Sequence, residues 1–167
     1  MNGVVVRRAE PADAAALVEL ARTVGGEPEG WLISDRSWRS VSEERRYLKA
    51  LRRYAHAAVF VAEAGDEVVG RLSVARDPHP ASRHVADLGL MVDTRLRRRG
   101  VGRALLEAAV AWAPEHGVAK LELHVFPWNE AAIMLYESFG FEREGYRRRH
   151  YLRPDGYADA ILMALQV

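Results

Sequence analysis

The chain has 167 residues, with 24 basic against 23 acidic side chains, 49% apolar residues and no cysteine. That is enough chain to bury a core of its own, and the net charge of +1 offers no global field for nucleic acid. Lack of cysteine excludes disulfides, thiolate nucleophiles and cysteine-ligated zinc, no apolar run approaches the ~18 residues of a membrane span, and the opening MNGVVVRRAE lacks a secretory stretch. The expectation is one cytoplasmic domain over 1–167, with no metal, nucleic-acid or membrane partner. All basic residues but Lys49 and Lys120 are arginine, clustered at Arg95, Arg97–Arg99 and Arg103 and again at Arg147–Arg149.

Val4–Arg7 reads as a short strand. Pro11 opens a helix, as proline is tolerated at the first helical position; Ala14, Leu17, Val18, Ala21 and Val24 share one face, and Gly25–Gly26 stops it. Residues 25–40 have no regular period and carry Pro28, Gly30, Trp31 and Trp38. Ser40 and Glu43 have capping-box spacing for a second helix, whose stripe is Tyr47, Leu48, Leu51, Tyr54 and Ala55. Ala57–Ala64 and Val68–Ala75 form a hairpin around Gly65–Asp66, and a strand follows over His84–Val92 after a loop at Asp77–Ser82. A helix begins near Gly100, with Val101, Leu105, Ala109 and Trp112 inward and Gly117 just past its end. Lys120–Phe126 alternates, with Leu121, Leu123 and Val125 on one face and Glu122, His124 and Phe126 on the other. Asn129 caps a last helix presenting Ala132, Leu135, Tyr136 and Phe139, with Gly140 at its end. Two strands then surround Asp155–Gly156. The order β-α-α-β-β-β-α-β-α-β-β describes an α/β (α+β) fold, a mixed, mostly antiparallel sheet of about seven strands flanked on both faces by about four helices.

Two constellations carry chemistry. The first is a strand, then Arg97-x-x-Gly100-x-Gly102, then a helix. Glycines let backbone approach a ligand closely, and the first amides of a helix lack internal partners and sit at the positive end of its dipole, which together make a phosphate site. The Walker pattern is absent, and Leu105 stands where a Rossmann fingerprint needs glycine. The second is Asn129 with Tyr136, two turns apart on one helical face, about 10 Å along the axis. A ligand with its phosphate at Gly100–Gly102 would meet Asn129 and then Tyr136. Each constellation has a plain alternative: a solvated arginine run in the first case, a cap and a core tyrosine in the second.

Together, ADLGLMVDTRLRRRGVGRALL and LELHVFPWNEAAIMLYESFGFEREG resemble the GNAT superfamily of N-acetyltransferases. The ending, with Gly145, Asp155–Gly156, Asp159 and Met163–Leu165, looks most like bacterial branches that acetylate L-amino acids or protein N-terminal amines. The resemblance implies acetyl-CoA as co-substrate. Backbone groups of Met91 and Val92 would pair with its pantetheine arm as an added strand would. Arg97 and the amides of Arg98, Arg99, Gly100, Val101, Gly102, Arg103 and Ala104 would hold the pyrophosphate. Asn129 would hydrogen-bond the arm, Ala132 would lie along it, and Tyr136 would sit near the sulfur. The implied reaction is direct attack of a primary amine on the thioester.

An ordinary alkylamine is about 0.04% neutral at pH 7, so a base is needed; the leaving thiolate needs a proton, which Tyr136 can donate. Some relatives carry Glu five residues before the Asn; that position here is His124, whose ordinary pKa suits a base. Asp87 and Glu122 are further candidates. Acceptor choice is expected from residues 25–40 and the last two strands. Trp31 and Trp38 would serve as an apolar wall or as cover for the core; Arg147–Arg149, His150 and Tyr151 would attract a carboxylate or form a solvated basic strand. A small amine such as an amino acid is the leading acceptor, with a protein N-terminus and a non-catalytic acyl-CoA sensor as alternatives, and a homodimer is a plausible assembly.

Overall fold

The structure, a computed structural model, describes residues 3–33 and 38–167. The strands are β1 (Val4–Arg8), β2 (Ala57–Ala64), β3 (Glu67–Arg76), β4 (Val85–Val92), β5 (Lys120–Val125), β6 (Glu142–Arg153) and β7 (Gly156–Gln166). The helices are α1 (Ala14–Gly25), α2 (Val41–Leu51), α3 (Val101–Glu115) and α4 (Glu130–Phe139). One sheet runs β1-β2-β3-β4-β5-β7-β6. Every neighbouring pair is antiparallel except β4–β5, which is parallel.

Alternation along β2 shows how the layers form. Ala58, Phe60 and Ala62 join the larger core with Leu105, Ala109 and Trp112 of α3 and Ile133 and Tyr136 of α4. Ala57, Val59 and Val61 point the other way, onto Ala14 and Leu17 of α1 and Leu48 and Leu51 of α2. A strand with both faces covered has no polar side to show. Gly70 of β3 sits where a Cβ would lie 2.9 Å from Leu105 Cδ1 and 3.0 Å from Val101 Cγ1, so its bare backbone lets α3 seat on the sheet.

Two boundaries depart from expectation. Pro11 opens a 3-10 turn, Pro11–Asp13, rather than α1 itself; the Asp13 carboxylate takes Glu10 N–H (2.7 Å) and is gripped by Arg7 (2.8 and 2.9 Å), which anchors the turn against β1. Tyr54 and Ala55 lie beyond α2, which ends at Leu51 because the chain must turn into β2 at Ala57; Tyr54 is exposed beside His56. The Ser40–Glu43 capping box forms as read.

Candidate active site

The parallel seam is short. β4 and β5 pair only over Val85–Asp87 against Lys120–Glu122, although β4 runs on to Val92 and β5 to Val125. Past Asp87 the strands part, and on the side of β5 the edge of β4 over Leu88–Val92 has no paired strand among the described residues. Met91 and Val92 lie on that edge, with the Met91 side chain turned into the α1 cluster. The Val92 carbonyl accepts from Arg97 Nε (3.2 Å).

Where β4 ends, Asp93 accepts from Arg95 N–H and caps a 3-10 turn, Thr94–Leu96. Arg98 and Gly100 then take left-handed backbone, with φ of 62° and 83°, the second at the N-cap of α3. The amides from Arg98 through Arg103 find no acceptor among the described residues; Ala104 N–H is the first to be satisfied, by the Gly100 carbonyl at 3.0 Å. Six consecutive donors at a helix N-terminus fit the pyrophosphate of a CoA thioester, and the gap beside β4 fits its amide-bearing arm. Gly102 has a packing role as well: a Cβ there would meet Leu135 Cδ2 at 2.8 Å, so it lets α3 approach α4. Val101 is a buried core residue that contributes backbone alone.

The arginines divide. Arg98 and Arg99 are exposed. Arg103 stacks on Phe139 (5.3 Å) and lies 3.6 Å from Glu107. Arg97 is held bidentately by Glu27, both contacts 2.9 Å, and Glu27 also receives the Thr94 hydroxyl. This ion pair ties the segment after α1 to the loop before α3, and Arg97 also lines the cavity beside that loop.

A cavity of about 620 Å³ connects these parts, lined among others by Gly100, Gly102, Asn129, Ala132 and Tyr136 on one side and by Asp87, His124 and Tyr151 on the other. The Asn129 Oδ1 accepts Ala132 N–H at 3.3 Å as the cap of α4, which leaves its amide nitrogen available. Tyr136 is buried against Phe141, and burial alone raises its pKa well above the ordinary phenol value. Its hydroxyl is thus a proton carrier across the neutral range.

On the acceptor side, His124 Nδ1 and the Tyr151 hydroxyl are 2.6 Å apart. Burial, then the charges of Arg147 and His150, hold the His124 pKa below its ordinary value, so the imidazole is neutral at pH 7. Asp87, at the vertex of the splay, is solvent-accessible where it opens to the cavity; the partial desolvation it still meets there, with the charge of Glu122 added, lifts its pKa to about 6. Asp87 in turn helps raise the Tyr151 pKa, after burial. Glu122, paired across the seam, does not line the cavity.

Trp31 and Trp38 both line the cavity, with Leu32 and Ile33, and Trp38 and Leu32 also pack against the α1 cluster; residues 34–37 of that segment lie outside the described residues. Of the basic run on β6, Tyr151 reaches the cavity, whereas Arg147–Arg149 lie exposed on the edge strand. The sequence reading missed Arg71, a cavity-lining cation on β3 that is only 3% exposed. Its signal was there: one charge inside the apolar run Val68–Ala75 demands a partner. Among the described residues no cluster of His, Asp or Glu could hold a metal ion, and no helix is long and apolar enough to cross a membrane.

A profile described as the Acetyltransferase (GNAT) family matches residues 28–141. Over 98% of both chains, the protein is 33% identical to the L-amino acid N-acetyltransferase AaaT of Escherichia coli (strain K12). It is 47% identical over 78 residues to the ribosomal protein bS18-alanine N-acetyltransferase of the same strain, covering 47% of this chain and 53% of that one. A solved acetyltransferase of the GNAT family from Streptococcus pneumoniae superposes with a TM-score of 0.88 at 28% identity, covering 98% of this chain and 99% of the other.

Proposed function

Since the chain belongs to the GNAT acetyltransferase family and is an N-acetyltransferase, we propose that it moves the acetyl group of acetyl-CoA to the primary amine of a small molecule, an amino acid. The observation that carries the reading is the row of free amides at Arg98–Arg103 opening onto the same cavity as Asn129 and Tyr136.

When bound, acetyl-CoA supplies the acetyl group as a thioester; the new N–C bond forms as the C–S bond breaks. The loop amides hold the pyrophosphate, and the open edge of β4 aligns the arm. The free amide nitrogen of Asn129 donates to that arm. Asp87 and His124 accept the proton that the acceptor ammonium must shed, with Tyr151 hydrogen-bonded to His124 between them. Tyr136, kept protonated by burial, donates to the departing sulfur. Trp31, Trp38, Leu32 and Ile33 exclude water on the acceptor side.

The small-acceptor reading is supported by that aromatic wall and by the end-to-end likeness to an L-amino acid acetyltransferase; the ribosomal-protein enzyme matches over about half of its length. The test is release of free thiol from acetyl-CoA in the presence of amino acids, polyamines, aminoglycosides or N-terminal peptides. Turnover with amino acids is expected. Turnover confined to peptides would overturn the acceptor class, and silence on every panel with CoA binding intact would make the protein a sensor.

A further inference from the structure

The half of the cavity away from the phosphate loop contains a charge imbalance. Arg71 projects from β3 on the face it shares with Ser73, and both line the cavity. Its guanidinium lies 5.0 Å over the Trp38 ring, with one terminal nitrogen 3.5 Å from Glu44 Oε1, an ion pair without hydrogen-bond geometry. Its Nε and that same terminal nitrogen are enclosed and have no hydrogen-bond partner among the described residues, so a carboxylate entering the cavity would meet them through a shift of the guanidinium. Glu44, on α2, is fully buried and is already engaged by Arg39, which itself stacks over Tyr47 at 4.2 Å. Among the described residues two cations thus share one carboxylate, and the more deeply buried cation has the poorer share. Burial pushes the Arg71 pKa down against the pull of Glu44, as an under-compensated cation requires.

A guanidinium presents five donors in a planar fork matched to a carboxylate. Leaving such donors unmet in an apolar wall is costly unless something arrives to meet them. Ser73 lies two residues along the same face, towards Asp87, opposite Gly89, where a Cβ would touch its Oγ at 3.4 Å. The strip from Arg71 through Ser73 to Asp87 therefore runs from a buried guanidinium to an accessible carboxylate along one face of the sheet.

We propose that Arg71 is the carboxylate receptor of the acceptor site, held in place by Glu44 and Trp38, so that the acceptors are amines bearing a free carboxylate. The proposal deepens the function proposed above and rests on it for the identity of the site. It moves acceptor recognition from the exposed arginines of β6 to one buried arginine of β3.

The test separates binding from turnover. CoA-loaded protein is titrated calorimetrically with free L-amino acids, with their methyl esters and with the matching decarboxylated amines. At least one free amino acid should bind, its ester and its amine at least 20-fold more weakly. Arg71→Met should weaken the free amino acid by a similar factor, leaving the amine and CoA unchanged; Arg71→Lys, which keeps the charge and loses the fork, should fall between and serves if the Met variant does not fold. Equal binding of acid and ester to the unaltered protein would overturn the proposal, as would an equal loss for acid and amine in the variants, or no amino acid binding at all. Binding of this pattern without thiol release would keep Arg71 as receptor and remove the acetyl-transfer reading instead.

Discussion

Tyr136 is 6% exposed and lines the same cavity as Asp87 and His124. A phenol whose ionisation is suppressed by burial is a donor at every pH the enzyme meets, so its removal should act on the chemical step. Tyr136→Phe is expected to lower kcat by about 100-fold and to leave the KM for acetyl-CoA nearly unchanged, read in steady-state assays. The proton acceptors act in the other direction. Asp87 has its pKa raised to about 6, so it is protonated and useless below that value and competent above it. kcat/KM should therefore climb as pH rises through about 6. Asp87→Asn should leave only the limb that His124 sets by its own deprotonation. His124→Gln should lower the plateau, and the double variant should be little worse than the poorer single one, because groups serving one proton do not lose independently. Additive losses would show that the two serve separate steps.

Each element is held by contacts that differ in how far they can be seen. Gly70 is a clear case: Leu105 and Val101 above it are fully buried and cannot yield. Gly70→Ala should overpack the α3 seat and destabilise the protein by about 1–3 kcal/mol, measured by urea unfolding. Nothing local in the sequence marks this glycine as a seat, because the two side chains that would crowd it most, Val101 and Leu105, are more than 30 residues away. The same limit explains the rest of what the sequence hid. Strand and helix identities were legible because period two and period 3.6 survive in the apolar residues, and Asn129, Tyr136 and Gly100–Gly102 were legible because their spacing is local. Tyr54 and Ala55 continued the stripe of α2 in sequence, yet the start of β2 ends the helix before them. The ion pair of Arg97 could not be read, because its partner Glu27 lies 70 residues upstream. Arg71 needed α2 folded over β3 before its company could be known.

At the scale of the whole molecule, the sheet is joined at its middle by three parallel residue pairs, with the β1–β4 half on one side and the β5–β7–β6 half on the other. A ligand that fills the gap and satisfies six loop amides binds the folded protein alone. CoA at 100 times its Kd should add about 2.7 kcal/mol and raise Tm by roughly 5–10 °C for a chain of this size, followed by thermal denaturation. Gly100→Ala, strained at φ 83°, should give a smaller rise at the same CoA concentration. The outer boundary of the sheet has its own logic. β6 is a 12-residue edge, almost wholly exposed, and between Arg147 and Tyr151 its register against β7 is broken, with Arg149 at φ 51° and its N–H turned to Asp159. A long flat edge invites a foreign strand to pair with it. Here an incoming strand meets a kink in the ladder and three arginines in succession, Arg147–Arg149. The same run guards the chain against edge-to-edge pairing, and straightening the bulge or neutralising those arginines would trade solubility for a sticky edge.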